Sequence, residues 1–383
     1  ALGRGLTAST GMITAGPPFT SLGLVEPAAM IFGGCEVREG DLVAEARLAA
    51  RQLPGLQELV ASLAGELAAV QERIVSGSVV NCGPAIEGLV GGGFRPRPLR
   101  EEIAAVRRAL ARFRERHGLE TVVVVNLAST EPPLAAAPCH EDPEALEAAL
   151  DGDDPRVARA STIYAYAAVM AGCPYINFTP SNGALLPAVI QLAVERGVPV
   201  MGNDGKTGET LVKSALAPMF TARNLEVLSW EGFNILGNRD GEVLNHPDNR
   251  ETKIRSKDQV LARVLGYAPH SKVGIDYVPS LGDRKTAWDF IHFQGFLGVE
   301  MSLQFIWQGF DSILAAPLVL DLVRLAELAA RRGDGGLMPH LGLFFKSPLG
   351  VEEHRLAQQF EMLLAYAARM RPDGRGLRMI DLG

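Results

Sequence analysis

The spacing of apolar residues in the first 210 positions alternates between strand-like and helix-like patterns. The continuous apolar run Thr121–Leu127 is typical of a central strand buried on both faces of a parallel sheet. Other strands are predicted between Glu26 and Glu36, at Val79–Cys82 and at Val198–Met201, and helices at Asp41–Arg51, Leu56–Ile74, Glu101–His117, 155–171 and 184–196. This βαβα alternation predicts an α/β fold with a Rossmann-like, doubly wound parallel sheet.

The pattern changes after a helix predicted at Gly208–Asn224. Four alternating segments predict strands with one helix (256–266) among them: Leu225–Leu236, Lys272–Val278, Phe290–Phe296 and Val299–Trp307. Two long helical patterns follow, at Ser312–Arg332 and Val351–Arg369. We therefore predict a first domain of residues 1–210 and 315–383, with an inserted α+β domain of residues 211–314 that has a mainly antiparallel or mixed sheet.

Composition excludes several functional classes. The net charge is −7, and no basic stripe suggests a nucleic-acid surface. No apolar run approaches the roughly 18 residues of a membrane-spanning helix. The four cysteines form no CxxC pair, which predicts a reducing, cytoplasmic setting without a disulfide framework or a zinc site. We interpret His140-Glu141-Asp142 as a solvated loop rather than a metal site.

Lysine is confined to the second half of the chain. Only seven of the 37 basic residues are lysines, and none precedes Lys206. Lysine differs from arginine where a compact ammonium must contact an oxyanion or exchange a proton. The region therefore contains either a site that uses lysines or a surface that kept them. The other six are Lys213, Lys253, Lys257, Lys272, Lys285 and Lys346.

The segment Gly202–Thr207 lies between a predicted strand and a predicted helix. Its glycines are too close together for a P-loop, which needs four residues between them. The helix N-terminus that follows favours either an anion site or a plain β–α turn capped by Thr207. Lys253 and Lys257 lie four residues apart, which fits a solvated basic face or an anion held between them.

Three more acidic or basic residues stand out by their surroundings. Lys346 and Asp311 lie in apolar stretches, where a charge requires a partner or a shifted pKa. Glu36 follows a predicted strand and a glycine pair. A carboxylate there binds the ribose hydroxyls in dinucleotide-binding units, although a surface glutamate is the simpler interpretation.

Six short motifs occur together and in order: Asn177–Asn182, Gly202–Thr210, Gly237–Gly241, the Lys253/Lys257 pair, Gly282–Lys285 and Asp311–Leu318. Together they resemble the myo-inositol-1-phosphate synthase (inositol-3-phosphate synthase) family over residues 1 to about 350. The resemblance implies an NAD-dependent isomerisation of D-glucose 6-phosphate to myo-inositol 1(3)-phosphate. It also implies a cytoplasmic homotetramer, built through the sheet of the middle domain, that serves inositol and phospholipid biosynthesis.

The resemblance further implies roles for individual residues. Its four lysines, with Asp311 as their counter-ion, would bind the phosphate, stabilise oxyanions and relay one proton, and we expect them to converge on one cleft: Lys253, Lys257, Lys285 and Lys346. The positions near the cofactor or the sugar would be Glu36, Thr130, Asp204, Thr207, Asn238 and Asp240. No metal ligand is expected.

The chain also departs from the family pattern. Phe178 and Thr207 replace the Gly and Ser of the better-known eukaryotic form. We expect the family's first strand and Gly-rich pyrophosphate turn to precede Ala1, in a trimmed form of a complete enzyme rather than a derived member that binds NAD poorly. Two alternatives are an NAD-dependent sugar-phosphate dehydrogenase and a sugar-phosphate-binding homologue without catalysis.

Overall fold

The computed structural model describes residues 1–53, 55–90, 97–246, 249 and 260–371. Its strands form three sheets. The smallest is a parallel pair of β1 (Gly34–Glu36) and β2 (Ile74–Ser76), in which Glu36 lies opposite Ser76 at the carboxyl ends. Helices α1 (Leu42–Ala50), α2 (Leu56–Ser62) and α3 (Ala64–Gln71) connect the two strands.

The second sheet is entirely parallel, with the order β10-β5-β4-β3. In register, Asn126 lies opposite Asn177, and Asn177 opposite Gly202, so the carboxyl ends of three strands share one edge. Open parallel sheets bind their ligands at this edge. The strands are β3 (Val124–Asn126), β4 (Tyr175–Asn177), β5 (Pro199–Gly202) and β10 (Gly336–Leu337).

Helices cover both faces of this sheet. Tyr175 and Val200 point to one face, where they pack with buried residues of the helices between β2 and β5. Ile176 and Met201 point to the other, against the two C-terminal helices. Successive residues of a strand face opposite sides, so a strand buried on both sides must be apolar throughout. The Rossmann-like α/β class predicted from the alternation is confirmed, and the covering helices are α5 (Leu99–His117), α6 (Pro143–Asp151), α7 (Ala160–Met170), α8 (Pro187–Glu195), α12 (Asp311–Arg332) and α13 (Leu356–Met370).

The third sheet has the order β7-β6-β8-β9 and is mixed. Its β6–β7 pair is parallel, whereas β8 is antiparallel to both β6 and β9. One face packs against α9 (Glu209–Ala222) and α11 (residues 260–265), with Phe220 and Trp230 in the shared core. The strands are β6 (Glu226–Leu236), β7 (His270–Tyr277), β8 (Arg284–Gln294) and β9 (Glu300–Phe310).

Several local predictions were wrong. Val79–Cys82 forms no strand, because Val79 and Cys82 are apolar to fill a small core beside α4 (Pro84–Glu87). The helix predicted over Leu56–Ile74 is broken at Leu63, and its last residue begins β2.

The prediction of a solvated loop is wrong for His140, which is buried, whereas Glu141 and Asp142 are exposed. The His140 side chain is 4% exposed, accepts from the backbone N–H of Ala137 and contacts the Val157 carbonyl oxygen. Asp142 caps α6 by accepting from the backbone N–H of Ala145. Within the described ranges, no three His, Cys, Asp or Glu side chains form a group that could hold a metal ion.

Candidate functional site

A turn at the carboxyl end of β5 brings the Asp204 segment against the Lys346 segment. The two chains exchange backbone hydrogen bonds: Asn203 N donates to Ser347 O over 2.8 Å, and Lys346 N donates to Asp204 O over 2.7 Å. Asp204 has a φ of 63°, a left-handed conformation that aspartate and asparagine tolerate better than most residues. Two segments that are 142 positions apart in sequence therefore form one wall of the site.

Lys346 and Asp204 form a buried ion pair. The Lys346 Nζ donates to Asp204 Oδ1 over 2.8 Å, and the two side chains are only 10% and 5% exposed. The carboxylate is the partner that an ammonium in an apolar stretch requires.

A second ion pair joins the start of β8 to the start of α12. Lys285 Nζ donates to Asp311 Oδ2 over 2.9 Å, and Thr207 Oγ1 donates to Asp311 Oδ1 over 3.2 Å. Thr207 is three residues from Asp204, so the same turn contacts both ion pairs. The side chains of Lys285 and Asp311 are 12% and 32% exposed, so this pair is more accessible than the first.

Asn238 approaches the same region through a chain of hydrogen bonds. Its Oδ1 caps α10 (Arg239–Leu244) by accepting from Gly241 N, and its Nδ2 donates to Asp283 Oδ1 over 3.4 Å. Asp283 in turn accepts from Ser312 Oγ, the neighbour of Asp311. Asp240 lies in the first turn of α10 and is half-buried.

Sequence reasoning did not single out the asparagine ladder along the edge of the parallel sheet. Asn126 Nδ2 donates to Asn177 Oδ1 over 3.1 Å, and Asn177 Nδ2 donates to Asn203 Oδ1 over 2.7 Å. Each asparagine belongs to, or directly follows, a different parallel strand. A single asparagine at the end of each apolar run was the available signal.

Three polar side chains with buried donor or acceptor atoms near the start of α9 were also not recognised as a group: those of Asn234, Thr210 and Trp307. Asn234, Ala287 and Trp307 lie opposite one another across β6, β8 and β9. Neither Asn234 Nδ2 nor Trp307 Nε1 has a hydrogen-bond partner among the described residues, and the same is true of Thr210 Oγ1 in α9. Trp307 Nε1 would lie 2.8 Å from a Cβ on Gly208, so the row sits against the N-terminal end of α9.

Lys206 is a buried lysine of the same turn, but it belongs to neither ion pair. It is 3% exposed, and its Nζ donates to Gln359 Oε1 of α13 over 2.5 Å. Burial lowers the pKa of Lys206 to about 7. Burial also lowers the pKa of the nearby His354 to about 4, helped by the charges of Arg263 and Lys206.

The remaining predicted site residues are Glu36, Thr130, Lys253 and Lys257. Glu36 accepts from the backbone N–H of Val37 and, through Oε2, from Arg38 Nη2 over 2.9 Å. Burial opposes ionisation of Glu36, but the hydrogen bonds from Arg38 outweigh it and lower its pKa. The Thr130 side chain is 1% exposed, and Lys253 and Lys257 lie outside the described residues.

An NAD-binding family model described as myo-inositol-1-phosphate synthase matches residues 7–368. The chain belongs to this family. It is 39% identical to inositol-3-phosphate synthase 1 of Bacteroides thetaiotaomicron over 264 residues, covering 67% of this chain and 61% of that protein. It is 31% identical to inositol-3-phosphate synthase 1 of Oryza sativa subsp. japonica, covering 82% of this chain and 63% of that protein.

A solved structure supports the same family assignment. The crystal structure of inositol-3-phosphate synthase from Caenorhabditis elegans superimposes with a TM-score of 0.81 at 25% identity, covering 92% of this chain and 73% of that one. The chain thus spans about three fifths of the length of the two curated synthases above. No described helix is both long and apolar enough to cross a membrane.

Proposed function

We propose that this protein catalyses the NAD-dependent isomerisation of D-glucose 6-phosphate to myo-inositol 1(3)-phosphate. The observation that carries the proposal is the turn at Asp204–Thr207, which contacts one lysine–aspartate pair at each end. The synthase reaction places negative charge on oxygen in successive steps, during enolisation and aldol closure. Two ammonium groups that are held in place before the reaction stabilise such charge without reorganisation.

The N-terminal end of α9 is the proposed phosphate site. Free backbone N–H groups and the helix dipole favour an anion there. The buried polar groups of Asn234, Thr210 and Trp307, which lack partners among the described residues, lie on the sheet side of the same end. Lys285, on the strand of Ala287, would add its positive charge.

The donor set also fits NAD. Glu36 lies at the carboxyl end of a parallel strand, and its side chain is 38% exposed, so its carboxylate can accept ribose hydroxyls. We propose Thr130, Asp204, Thr207, Asn238 and Asp240 as the other cofactor-side residues. NAD, when bound, would accept a hydride from C5 of the sugar and return it after ring closure.

The lysines have the remaining roles in this proposal. Lys346, held by Asp204, and Lys285, held by Asp311, would stabilise the developing oxyanions, and one lysine would relay the C5 proton. Lys253 and Lys257, outside the described residues, would complete the set of four in the same cleft. We further propose that residues 1–210 and 315–383 form the NAD-binding domain and residues 211–314 the catalytic one.

We propose a homotetramer assembled through the mixed sheet. On the face opposite α9, Phe233, Trp288 and Ile306 lie in one row across β6, β8 and β9, and they are 43%, 39% and 66% exposed. Contiguous exposed apolar surface of this kind marks interaction sites. Light scattering should give the mass of four chains, and Ile306→Glu should lower it; a wild-type monomer at micromolar concentration would contradict the assembly.

Product analysis separates the synthase from its alternatives. The full-length protein, with glucose 6-phosphate and a catalytic amount of NAD, should yield inositol phosphate without net absorbance at 340 nm. Accumulating NADH would indicate a dehydrogenase. Sugar-phosphate binding without turnover would indicate a non-catalytic homologue.

Substitution of the lysines tests the site itself. Lys285→Arg and Lys346→Arg keep the positive charge, but a guanidinium cannot exchange a proton near neutral pH. We expect turnover to fall in both, by at least about 100-fold for the lysine that relays the proton. Lys272→Arg, at an exposed position of β7, is the matched control. Wild-type activity in both site variants would remove these lysines from the chemistry.

A further inference from the structure

Three charged side chains meet in the interior between α9 and the mixed sheet. Lys213 Nζ lies 2.8 Å from Glu209 Oε1 and 3.4 Å from Asp289 Oδ1. Trp230 Nε1 donates to the same Asp289 oxygen over 2.7 Å. None of the three charged side chains is more than 1% exposed. We call Glu209, Lys213 and Asp289 the buried triad.

The buried triad is not explained by stability alone. Removing charges from water is costly, and well-packed apolar residues of similar volume often stabilise a protein as much or more. A buried ionic group has a different advantage, because its hydrogen bonds and charges are satisfied in one arrangement only. Such a group can fix the relative position of the elements that carry it.

Each element at the triad carries or adjoins a candidate site residue. Glu209 is the first residue of α9, two positions after Thr207. Asp289 is four residues from Lys285 on β8, so both point to the same face of the strand. Trp230 lies on β6, which ends at Leu236, shortly before Asn238.

Gly232 shows how closely the three charges approach the sheet. A Cβ at this position would lie 2.9 Å from Glu209 Oε1, 3.1 Å from Lys213 Nζ and 3.3 Å from Asp289 Oδ1. These distances are shorter than ordinary contacts, so the strand must present only backbone where the three groups converge. The first turn of α9 is thereby held directly against β6.

We propose that Glu209, Lys213 and Asp289 are positioning residues, which lock the first turn of α9 to β6 and β8 and so fix Thr207 relative to Lys285. The catalytic part of this inference rests on the proposed function. The pKa values of Asp289 and Lys213 are consistent with the positioning role. Burial raises the pKa of Asp289 to about 6, and the two carboxylates more than offset the effect of burial on Lys213, whose pKa is raised.

The test neutralises the triad at nearly constant volume, with Glu209→Gln, Lys213→Met and Asp289→Asn combined in the full-length protein. The combination avoids leaving one buried charge without its partners. We expect the melting temperature to stay within a few degrees of wild type, while kcat for glucose 6-phosphate falls at least tenfold. Backbone amides of residues 205–214 should exchange their hydrogens faster.

Asp321→Asn is the matched control. Asp321 is a fully buried carboxylate of α12 that accepts from the backbone N–H groups of Ile13 and Thr14, and it has no part in the proposed site. This variant should melt at a lower temperature with an unchanged kcat per folded molecule. If the buried triad is purely structural, the triple variant should behave like Asp321→Asn, and its activity should follow only the fraction of folded protein.

A second variant keeps the inference testable if the triple variant does not fold. Gly232→Ala retains every charge and inserts one methyl group among them, and we expect kcat to fall while the protein remains folded. Wild-type kcat and wild-type exchange in either folded variant would overturn the positioning role. If the wild-type protein does not convert glucose 6-phosphate, the proposed function fails, and unchanged exchange at residues 205–214 would separately refute the triad's role.

Discussion

Lys206 should make the protein less stable below neutral pH than above it. Its pKa falls from 10.5 in the unfolded chain to about 7 in the folded protein, because burial disfavours the ammonium. Between these values the unfolded state binds more protons than the folded state, so stability rises with pH. Below pH 7 both states are protonated, and the folded state carries the full cost.

The size of the effect follows from the shift. At 1.36 kcal/mol per pKa unit, a shift from 10.5 to about 7 corresponds to about 5 kcal/mol. About 3 kcal/mol of this should appear between pH 6 and pH 9.5. The two described histidines with lowered pKa values, His340 and His354, act mainly below pH 6.5, because each pKa falls from 6.5 to about 4.

Lys206→Met removes the titrating group and keeps most of its volume. It also leaves Gln359 Oε1 without its donor, which costs about 1–3 kcal/mol. We therefore expect Lys206→Met to be more stable than wild type by about 2–4 kcal/mol at pH 6, with the difference disappearing by pH 9.5.

Urea denaturation of both proteins at several values from pH 6 to pH 9.5 measures this difference directly. Lys272→Met, at an exposed position of β7, is the control and should follow the wild-type profile. The reasoning fails if Lys206→Met keeps the wild-type dependence on pH, or if it is destabilised at pH 6. Either result would mean that the ammonium has compensating partners in the folded protein.

Substitutions at two further residues test other contributions to stability and to cofactor binding. Asp204→Asn removes the negative charge that faces Lys346 but tolerates the left-handed backbone, so it should lower the free energy of unfolding by about 3–5 kcal/mol. Asp204→Ala should cost more in the same urea titration, because alanine adds backbone strain; equal losses would argue against the strain. Glu36→Ala should weaken NAD binding by ~1–3 kcal/mol, the usual value of a hydrogen bond to a charged group, and leave sugar-phosphate binding unchanged. Calorimetry that gives wild-type NAD affinity would exclude Glu36 from the cofactor site.

Regular elements with a strong period were predictable from the sequence. Local apolar spacing predicts the turn from β5 to α9, the long helix α12 and the mixed sheet. This spacing can be read from the sequence without knowing which segments pack together. Val79–Cys82 shows the limit of this reasoning. A short apolar run is buried equally well in a strand or in irregular chain, and here it fills the core beside α4.

The site was predictable only in part. That Lys346 and Asp311 each require a partner follows from their apolar neighbours, but the identity of the partner does not. Asp204 is 142 positions from Lys346, and Lys285 is 26 from Asp311. Asn234 and Trp307 carried no signal, and Thr210 only as the last residue of a motif, because the importance of the three lies in a shared location rather than in residue type.

Lys206 and Lys346 show most directly what tertiary structure adds. Both are buried lysines at one short backbone pairing between the β5 turn and the segment before α13. Lys346 faces the carboxylate of Asp204, whereas Lys206 faces only the neutral amide of Gln359 among the described residues. A carboxylate stabilises an ammonium in the interior and an amide oxygen does so far less, and burial accordingly favours the neutral form of Lys206. Asp204 in the turn thus holds Lys346 for the proposed chemistry, whereas Lys206 makes the stability of the protein depend on pH.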